Sequence, residues 1–233
     1  MKKIGLVGGL GPASTVDYYL GLVDRYRKEH GEDRYPELVI ESVDMHRYIE
    51  AIGAGEYDKV SDFLVDSLSH LKAAGAELAA VTANTVHIVW DRVCDRFPLP
   101  VISIVDTAVC EIRRCGYERV LVFGTEFTMN SGLYEDSLTK NGIVPILPDD
   151  ADKKRIGGLI YPNLENGIVI EEDRQKMIDL AEKYIKEYRA DAMLLGCTEI
   201  PLAIKEGDVS VPTLNTTEIH VDAIYRKAMV GEG

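Results

Sequence analysis

The sequence has few cysteines and no long apolar run. Its four cysteines form no CxxC pair and no zinc-ligand spacing, a usage typical of reduced thiols in the cytoplasm. No segment approaches the roughly 18 consecutive apolar residues that a membrane-spanning helix requires. Two lysines at positions 2 and 3 lead into a short apolar run that ends in glycines, which predicts a first buried strand instead of a signal peptide. We therefore expect a cytoplasmic protein without a membrane partner.

Basic residues are too few to balance the acidic ones. The chain has 26 lysines and arginines against 39 aspartates and glutamates, and its net charge at pH 7 is -13. Such a chain repels nucleic acids and anionic membranes, so neither is expected as a partner. A small anionic substrate is not excluded, because it responds to the local field of its site. With 233 residues and 46% hydrophobic content, the chain is long enough for one large domain or two smaller α/β lobes.

One stretch near the C-terminus, residues 193–201, combines an apolar run with reactive side chains. Its sequence is MLLGCTEIP, so a predicted buried strand reaches Gly196 and is followed by Cys197, Thr198 and Glu199. The carboxyl end of such a strand is where α/β proteins bind ligands, and a glycine there would let the backbone approach one. Cys197 is therefore either a nucleophile or base, or a small buried side chain at a strand end.

Two parts of the sequence repeat the same pattern of strands, helices and turns. Gly9 recurs as Gly124 and Ala83 recurs as Cys197, both at an offset of about 115 residues, as expected for two copies of one unit. Strands alternate with helices in each copy, which predicts an α/β fold of two similar lobes, each a small parallel sheet flanked by helices. Among these elements we expect a strand over residues 101–107, a polar connection over residues 153–167 and a long amphipathic helix over about residues 171–188. We assign residues 1–101 plus 213–233 to the first lobe and residues 102–212 to the second. If a pseudo-twofold axis relates the lobes, the two strand ends face each other across one active-site cleft.

A glycine-rich turn follows the first predicted strand. Its letters are GGLGP at residues 8–12, which do not match the GxGxxG pattern of dinucleotide-binding proteins, and Pro12 removes an amide that a phosphate would need. We interpret the turn, with Leu10 at its centre, as a contact for a substrate carboxylate at the start of a helix.

Uncharged hydrogen-bonding side chains follow the predicted strand ends. Asn84 and Thr85 come after Ala83, and Thr128 and Thr198 lie in the second lobe, so these side chains suit an α-carboxylate. A cysteine can act as a base when nearby N–H groups and dipoles lower its pKa. Two strand ends on opposite sides of a substrate suit inversion at a carbon, in which one group removes a proton and another returns one to the other face.

Four motifs, GGLGPAST, ANTVH, GTEFT and GCTEIPL in this order and spacing, resemble those of the aspartate/glutamate racemase family. The resemblance covers essentially the whole chain. It implies a racemase of a dicarboxylic amino acid that needs no metal, pyridoxal phosphate or nucleotide, and that forms a homodimer. It also implies two catalytic cysteines, one at Cys197 and one immediately before Asn84. Glu199, beside the retained cysteine, is expected to orient the thiol or to contact the substrate.

The chain departs from the family pattern at the first cysteine. Position 83 is alanine, which has no proton to give. A related type is similar in having threonine at that position, and here Thr82 lies one residue earlier. Neighbouring residues of a strand point to opposite faces, so Thr82 is a second base only if the strand end twists. The sequence therefore predicts Cys197 as the acid/base residue, with Thr82, water or nothing as its partner.

A second departure concerns the distal carboxylate of the substrate. Family members selective for aspartate are similar in having an arginine after the second strand and a lysine before the long C-terminal helix. Arg47 matches the first of these, whereas the second falls near Glu165, which carries the opposite charge. We expect Arg47 to contact the substrate, and the nearby cations Lys153, Lys154 and Arg155 are candidate replacements for the lysine.

Ala83 leaves three other interpretations open. The arylmalonate decarboxylases are similar in having one cysteine at the second position and a small residue at the first, and there the cysteine protonates a carbanion after loss of carbon dioxide. A binding protein that has lost half of a catalytic pair would hold an amino acid without proton exchange. A deliberate Cys→Ala replacement made to trap substrate would also leave alanine. Asn84 and Thr85 favour the racemase, because a decarboxylase needs an apolar pocket for the departing carboxylate.

Overall fold

Short apolar runs form two parallel sheets in a computed structural model, which describes residues 1–230. The first sheet contains β1 (Ile4–Gly8), β2 (Leu38–Ser42), β3 (Leu78–Val81) and β4 (Val101–Ile102), and the second contains β5 (Arg119–Phe123), β6 (Val144–Ile146), β7 (Ala192–Leu195) and β8 (Thr213–Asn215). The strand orders are β2-β1-β3-β4 and β6-β5-β7-β8. All residues of β1, β3 and β7 are buried, as expected for the continuously apolar central strands of a parallel sheet.

Helices follow the strands in both halves of the chain. They are α1 (Pro12–His30), α2 (Met45–Gly53), α3 (Tyr57–Ala73), α4 (Trp90–Val93), α5 (Ile104–Cys115), α6 (Glu126–Asn130), α7 (Leu133–Lys140), α8 (Asp150–Ile160), α9 (Glu171–Tyr188), α10 (Ile200–Ala203) and α11 (Thr216–Met229). Short 3-10 turns occur at Thr85–Val89, Cys94–Arg96 and Leu164–Asn166.

The chain divides into two compact units with one sheet in each. Unit 1 contains Met1–Ile104 and the C-terminal part from Thr217 onward, and unit 2 contains Val105–Thr216. The helix after the last strand of each sheet belongs to the other unit, because α5 follows β4 and lies mainly in unit 2, whereas α11 follows β8 and lies mainly in unit 1. Unit 1 is therefore assembled from both ends of the chain.

The core of unit 1 depends on this returning helix. One buried cluster joins β1, α1 and α11 through Ile4, Leu6, Tyr18, Leu22, Val221, Ile224, Tyr225 and Ala228. Inside it, the hydroxyl of Tyr18 donates to Nδ1 of His220 at 2.7 Å, and Nε2 of the same ring donates to the Ile102 carbonyl at 2.9 Å. Burial lowers the pKa of His220 to about 3, so the ring is neutral and fixed in one tautomer.

The predicted fold class is confirmed: two similar α/β parts, each a parallel sheet flanked by helices. Two local predictions were wrong. The strand predicted over residues 101–107 is only β4, since Ile104 begins α5 and is fully buried there. The connection predicted over residues 153–167 is mostly α8, whose first turn is capped by the Asp149 side chain accepting the N–H of Asp152 at 2.9 Å.

Candidate active site

The end of β7 places Cys197 at the carboxyl edge of the second sheet. Leu195 pairs with Phe123 of β5, and the N–H of Gly196 donates to the Phe123 carbonyl at 2.6 Å. A Cβ atom at position 196 would lie 3.1 Å from that carbonyl oxygen and 3.3 Å from the ring of Tyr134. Close packing of the strand end therefore accounts for the glycine, for which we had expected the approach of a ligand to be the reason.

The thiol of Cys197 is buried and donates a hydrogen bond to a carboxylate. The residue is 7% exposed, and its Sγ lies 2.8 Å from Oε2 of Glu199. Burial and the negative charge of Glu199 raise the pKa of the thiol well above its ordinary value, and Glu165 adds to the effect. A hydrogen bond donated to a carboxylate also favours the protonated form. The thiol therefore holds its proton next to a group that can accept it.

Further acidic and phenolic groups face this thiol. Burial and Glu199 raise the pKa of Glu165, and partial burial together with the charges of Glu165, Cys197 and Glu199 raises the pKa of Tyr161 to about 12. Within residues 1–230, neither Glu165 nor Glu199 forms an ion pair, and Lys153, one of the candidate cations, pairs with Asp150 instead. Tyr161 was not predicted as a site residue, because it lies in a segment that was expected to be an irregular connection.

The two predicted threonines of unit 2 have different surroundings. Thr198 is half-buried and stands between Cys197 and Glu199 in the chain. Thr128 is buried in α6, where its N–H donates to Oγ1 of Thr125 at 3.1 Å and its own hydroxyl lies 2.9 Å from that atom. A Cβ atom at position 124 would lie 3.1 Å from the Thr128 side chain. Thr198 is therefore adjacent to the thiol, whereas Thr128 supports the turn after β5.

The end of β3 in unit 1 repeats the geometry of β7. Val81 pairs with Val7 of β1, and the N–H of Thr82 donates to the Val7 carbonyl at 3.0 Å. Thr82 therefore occupies the position of Gly196, and the next residue, Ala83, occupies the position of the catalytic candidate in unit 2. Ala83 is also 7% exposed, so the two equivalent positions match in burial as well as in hydrogen bonding.

The hydroxyl of Thr82 is directed into unit 1. The side chain is fully buried, and Oγ1 donates to the Val7 carbonyl at 3.2 Å and lies 3.3 Å from Oγ1 of Thr15. The carbonyl of Thr82 accepts a hydrogen bond from Ser14 Oγ at 2.8 Å. A hydroxyl that is hydrogen-bonded to the backbone of a neighbouring strand is a poor base. Of the two predicted residues, we therefore retain only Cys197 as the acid/base candidate.

Asn84 and Thr85 continue the chain from this strand end. Asn84 is buried, and Thr85 is half-buried at the start of a 3-10 turn. Nδ1 of His87 donates to the Ala83 carbonyl at 2.9 Å, while Nε2 accepts the N–H of Ile104 at 3.4 Å. Burial lowers the pKa of His87 to about 4, so a neutral imidazole fixes the backbone at position 83.

The turn that contains Leu10 is held by internal hydrogen bonds. Gly9 has a φ of 86°, and a Cβ atom there would lie 2.3 Å from the Val43 carbonyl oxygen, so only glycine fits. Its N–H donates to Oγ1 of Thr15 at 2.8 Å, which means that this amide is occupied within the protein. Leu10 is 8% exposed and lies at the carboxyl end of β1, beside the end of β3.

Arg47 lies apart from the other predicted substrate contacts. It is exposed in the first turn of α2, and its guanidinium carbon lies 4.3 Å from the centroid of the Phe63 ring. No hydrogen bond or ion pair joins Arg47 to another of the described residues. The structure thus groups some of the predicted residues at two strand ends: Leu10, Thr82, Asn84 and Thr85 in unit 1, and Cys197, Thr198 and Glu199 in unit 2.

Within residues 1–230, no group of three or more histidine, cysteine, aspartate or glutamate side chains is placed to hold a metal ion. No helix in that range combines the length and the apolar character that crossing a membrane requires.

Comparisons with known proteins agree with the motifs. A sequence model described as Asp/Glu/Hydantoin racemase matches residues 7–224, and the protein therefore belongs to this family, as its motifs predicted. The chain is 23% identical over 220 residues to the broad-specificity amino-acid racemase RacX of Bacillus subtilis, and the match covers 92% of each sequence.

Solved structures share the whole fold. An aspartate racemase homologue from Pyrococcus horikoshii OT3 is 35% identical, with a TM-score of 0.87 over 98% of this chain and 99% of that one. The aspartate racemase of Picrophilus torridus is 24% identical, with a TM-score of 0.75 over 98% of this chain and 94% of its own. At 24% identity, the similarity to the Picrophilus torridus structure supports a shared fold only.

Proposed function

We propose that this protein moves the α-proton of an amino acid, with Cys197 as the acid/base residue and no cofactor. The observation that carries the proposal is a buried thiol at the end of a central strand, 2.8 Å from a carboxylate oxygen, in a member of a racemase family. A positioned thiol and carboxylate are suited to general acid/base chemistry, in which they relay a proton without a metal or an organic cofactor.

The proton transfers balance among three groups. The thiol proton passes along its hydrogen bond to Oε2 of Glu199, which leaves a thiolate on Cys197. The thiolate takes the α-proton, and the electron pair of that C–H bond stays on the substrate and spreads into the α-carboxylate. Hydrogen-bond donors at this carboxylate stabilise the developing charge, and Thr198 offers a hydroxyl beside the thiol. The reverse steps return a proton to Cα.

Inversion needs a second proton donor, on the opposite face of the carbon. The position in unit 1 that is equivalent to Cys197 holds Ala83, which cannot donate a proton. A protein with one thiol returns the proton to the face from which it was taken, so it exchanges the α-proton with retention of configuration. We therefore propose that exchange is much faster than inversion, whether alanine is the natural residue or a replacement.

Aspartate and glutamate are the first substrates that we propose. The family and the aspartate racemase homologue support a dicarboxylic amino acid. However, Arg47 packs on Phe63 in the structure, and Glu165 would repel a side-chain carboxylate. The side-chain preference therefore depends on the relatives, and the broad-specificity relative makes a wider panel of amino acids worth testing.

Proton NMR in D2O tests this function directly. The L and D forms of aspartate, glutamate and a panel of other amino acids are incubated with the protein, and the α-proton signal is followed. We expect it to disappear from one enantiomer, with little formation of the other. Cys197→Ser should abolish the exchange, whereas Cys110→Ser, at an exposed thiol, should leave it unchanged.

Two other outcomes would replace the proposal. Release of carbon dioxide from an arylmalonate, without exchange of any amino acid, would identify a decarboxylase that uses the same single thiol. Binding of an amino acid without exchange of its α-proton would identify a binding protein.

The family resemblance and the cysteine usage also lead us to propose a cytoplasmic homodimer. Sedimentation velocity at micromolar concentration tests the dimer, for which a mass near twice 25.9 kDa is expected. A mass of one chain at every concentration would contradict it.

A further inference from the structure

An amino acid that gives its α-proton to Cys197 must bring its α-ammonium group close to the same thiol. The nitrogen is bonded directly to Cα, so it lies within about 5 Å of Sγ whenever the α-proton is within reach of the sulfur. This constraint is independent of the side chain of the substrate. Since Oε2 of Glu199 lies only 2.8 Å from Sγ, the Glu199 carboxylate borders the space that the ammonium group enters.

Glu165 brings a second carboxylate to this region. It is half-buried on the 3-10 turn Leu164–Asn166, which packs against α10 just after the cysteine. Leu164, Ala203 and Cys197 belong to one buried cluster, so the turn and the end of β7 are anchored in the same core.

Among the described residues, these carboxylates have no basic side chain paired with them. The charge of Glu199 raises the pKa of Glu165, and both carboxylates raise the pKa of Cys197. Holding two carboxylates together away from bulk water is costly unless a cation compensates them. Within residues 1–230 no lysine or arginine forms an ion pair with either one. A substrate ammonium group is such a cation, whereas a side-chain carboxylate placed there would be repelled.

We propose that Glu199 and Glu165 bind the α-ammonium group of the substrate, and that this cation prepares the Cys197 thiol to lose its proton. The proposal rests on the proposed function and adds the means by which the thiol is activated. Without substrate, burial and two negative charges keep the thiol protonated. With substrate bound, the ammonium group offsets those charges and stabilises the thiolate, whose proton passes to Oε2 of Glu199 along the hydrogen bond between them. The α-proton acceptor is then formed only when an amino acid is present.

The groups that face the thiol define what can titrate in this region. Glu199 lies on the same turn as the thiol, Glu165 comes from the 3-10 turn, and Tyr161 comes from the end of α8. Tyr161 stays protonated at neutral pH, because its pKa is about 12. The change on substrate binding should therefore appear at Cys197 and the two carboxylates.

A direct titration of the thiol tests the proposal. Cys94, Cys110 and Cys115 are exposed, and replacing them with serine leaves Cys197 as the only thiol. Thiolate absorbance is measured against pH without ligand and with 2-methylaspartate, 2-methylglutamate or 2-aminoisobutyrate, which carry an ammonium group but no α-proton. The N-acetyl derivatives of the same three compounds, which lack the cation, are the controls.

We expect at least one α-methyl amino acid to lower the pKa of Cys197 by about one unit, as an added positive charge nearby does. Its N-acetyl derivative should leave the pKa unchanged. Glu165→Gln should lower the pKa of the thiol in the free protein, weaken binding of the α-methyl amino acid and reduce the shift. Glu135→Gln, at an exposed glutamate of α7, should change none of these.

Several results would overturn the proposal. One is calorimetric binding of the α-methyl compounds without a change in the pKa of Cys197. Another is an equal change in that pKa with the N-acetyl compounds. A third is that Glu165→Gln and Glu135→Gln have the same thiol pKa and the same binding of the α-methyl compounds. If amino acids still exchange their α-protons in D2O, only the ammonium inference fails. If no amino acid binds or exchanges, the proposed function fails with it.

Discussion

The ends of β3 and β7 have the same backbone geometry and different chemistry. In each unit the first residue after the strand donates its N–H to the neighbouring strand, and the next residue is 7% exposed. That residue is Cys197 beside a carboxylate in unit 2, and Ala83 held by a neutral histidine in unit 1. The repeated fold thus provides two equivalent positions, and only the one in unit 2 holds a thiol. Under the proposed function, the reaction depends on the side chains at these positions and not on the fold.

Removing the thiol of unit 2 should abolish the difference between the two strand ends. We expect Cys197→Ala to slow α-proton exchange by about 10³-fold, because the general acid/base is lost. Proton NMR in D2O measures the rate. Cys110→Ala, at an exposed thiol of α5, is the matched control and should exchange at the original rate. Exchange that persists in Cys197→Ala would show that another group is the base.

Adding a thiol to unit 1 should make the two strand ends alike. We expect Ala83→Cys to increase the rate of inversion by about 10²-fold, because a second acid/base occupies the equivalent position. Circular dichroism of the amino acid measures inversion, and NMR measures exchange in parallel. Ala83→Ser, which adds a hydroxyl of similar size, should gain little. Faster exchange without faster inversion in Ala83→Cys would contradict the equivalence of the two positions.

Mild acid should destabilise unit 1 before unit 2. All five histidines lie in unit 1, and burial lowers the pKa of His87 to about 4 and that of His220 to about 3. His87 and His220 stabilise the folded state fully above about pH 6.5, which is the pKa of histidine in the unfolded chain. This stabilisation is lost as the pH falls toward their pKa values in the folded protein. At pH 5, protonation of the unfolded chain should lower the free energy of unfolding by about 2 kcal/mol for His87 and by a similar amount for His220.

Amide hydrogen exchange at pH 7 and pH 5, resolved along the chain, measures this difference. Glu165 changes in the opposite sense, because its raised pKa favours the folded state as pH falls. His220→Gln keeps a hydrogen-bond donor and should reduce the pH dependence of unit 1. Equal loss of protection in both units between pH 7 and pH 5 would contradict the prediction.

The smallest effect is expected at Thr82. Thr82→Val keeps the shape of the side chain and removes the hydroxyl that donates to the Val7 carbonyl, so unfolding by urea should show a loss of about 1 kcal/mol. Exchange of the α-proton should change by less than about twofold. A loss approaching that of Cys197→Ala, in a variant that is still folded, would restore Thr82 as the second base.

Much of the fold could be predicted from the sequence because its signals are local. Continuous apolar runs identified the central strands, the repeat identified two similar units, and the pattern of α9 gave a helix that the structure places at Glu171–Tyr188. The segment from Ile104 was mispredicted, because a buried helix and a buried strand have equally apolar sequences when they are short.

The candidate site was only partly predictable, because its electrostatics depend on contacts between distant segments. The motif around Cys197 identified the thiol and its neighbour Glu199 directly. Arg47 was selected from its place after β2, but its packing on Phe63 depends on how α2 meets α3. The carbonyl that binds the Thr82 hydroxyl belongs to another strand, and the alternation of side chains along a strand was the only guide to its direction.

The return of α11 to unit 1 has a consequence for how the chain is made. Unit 2 is one continuous segment of the chain, whereas the core of unit 1 needs Val221, Ile224 and Tyr225 from the last helix. During synthesis from the N-terminus, the first sheet emerges early but keeps an exposed apolar face until α11 arrives. Unit 1, which contains the N-terminal part of the chain, therefore completes its folding after unit 2. Deletion of α11 should leave unit 2 folded and unit 1 incompletely folded.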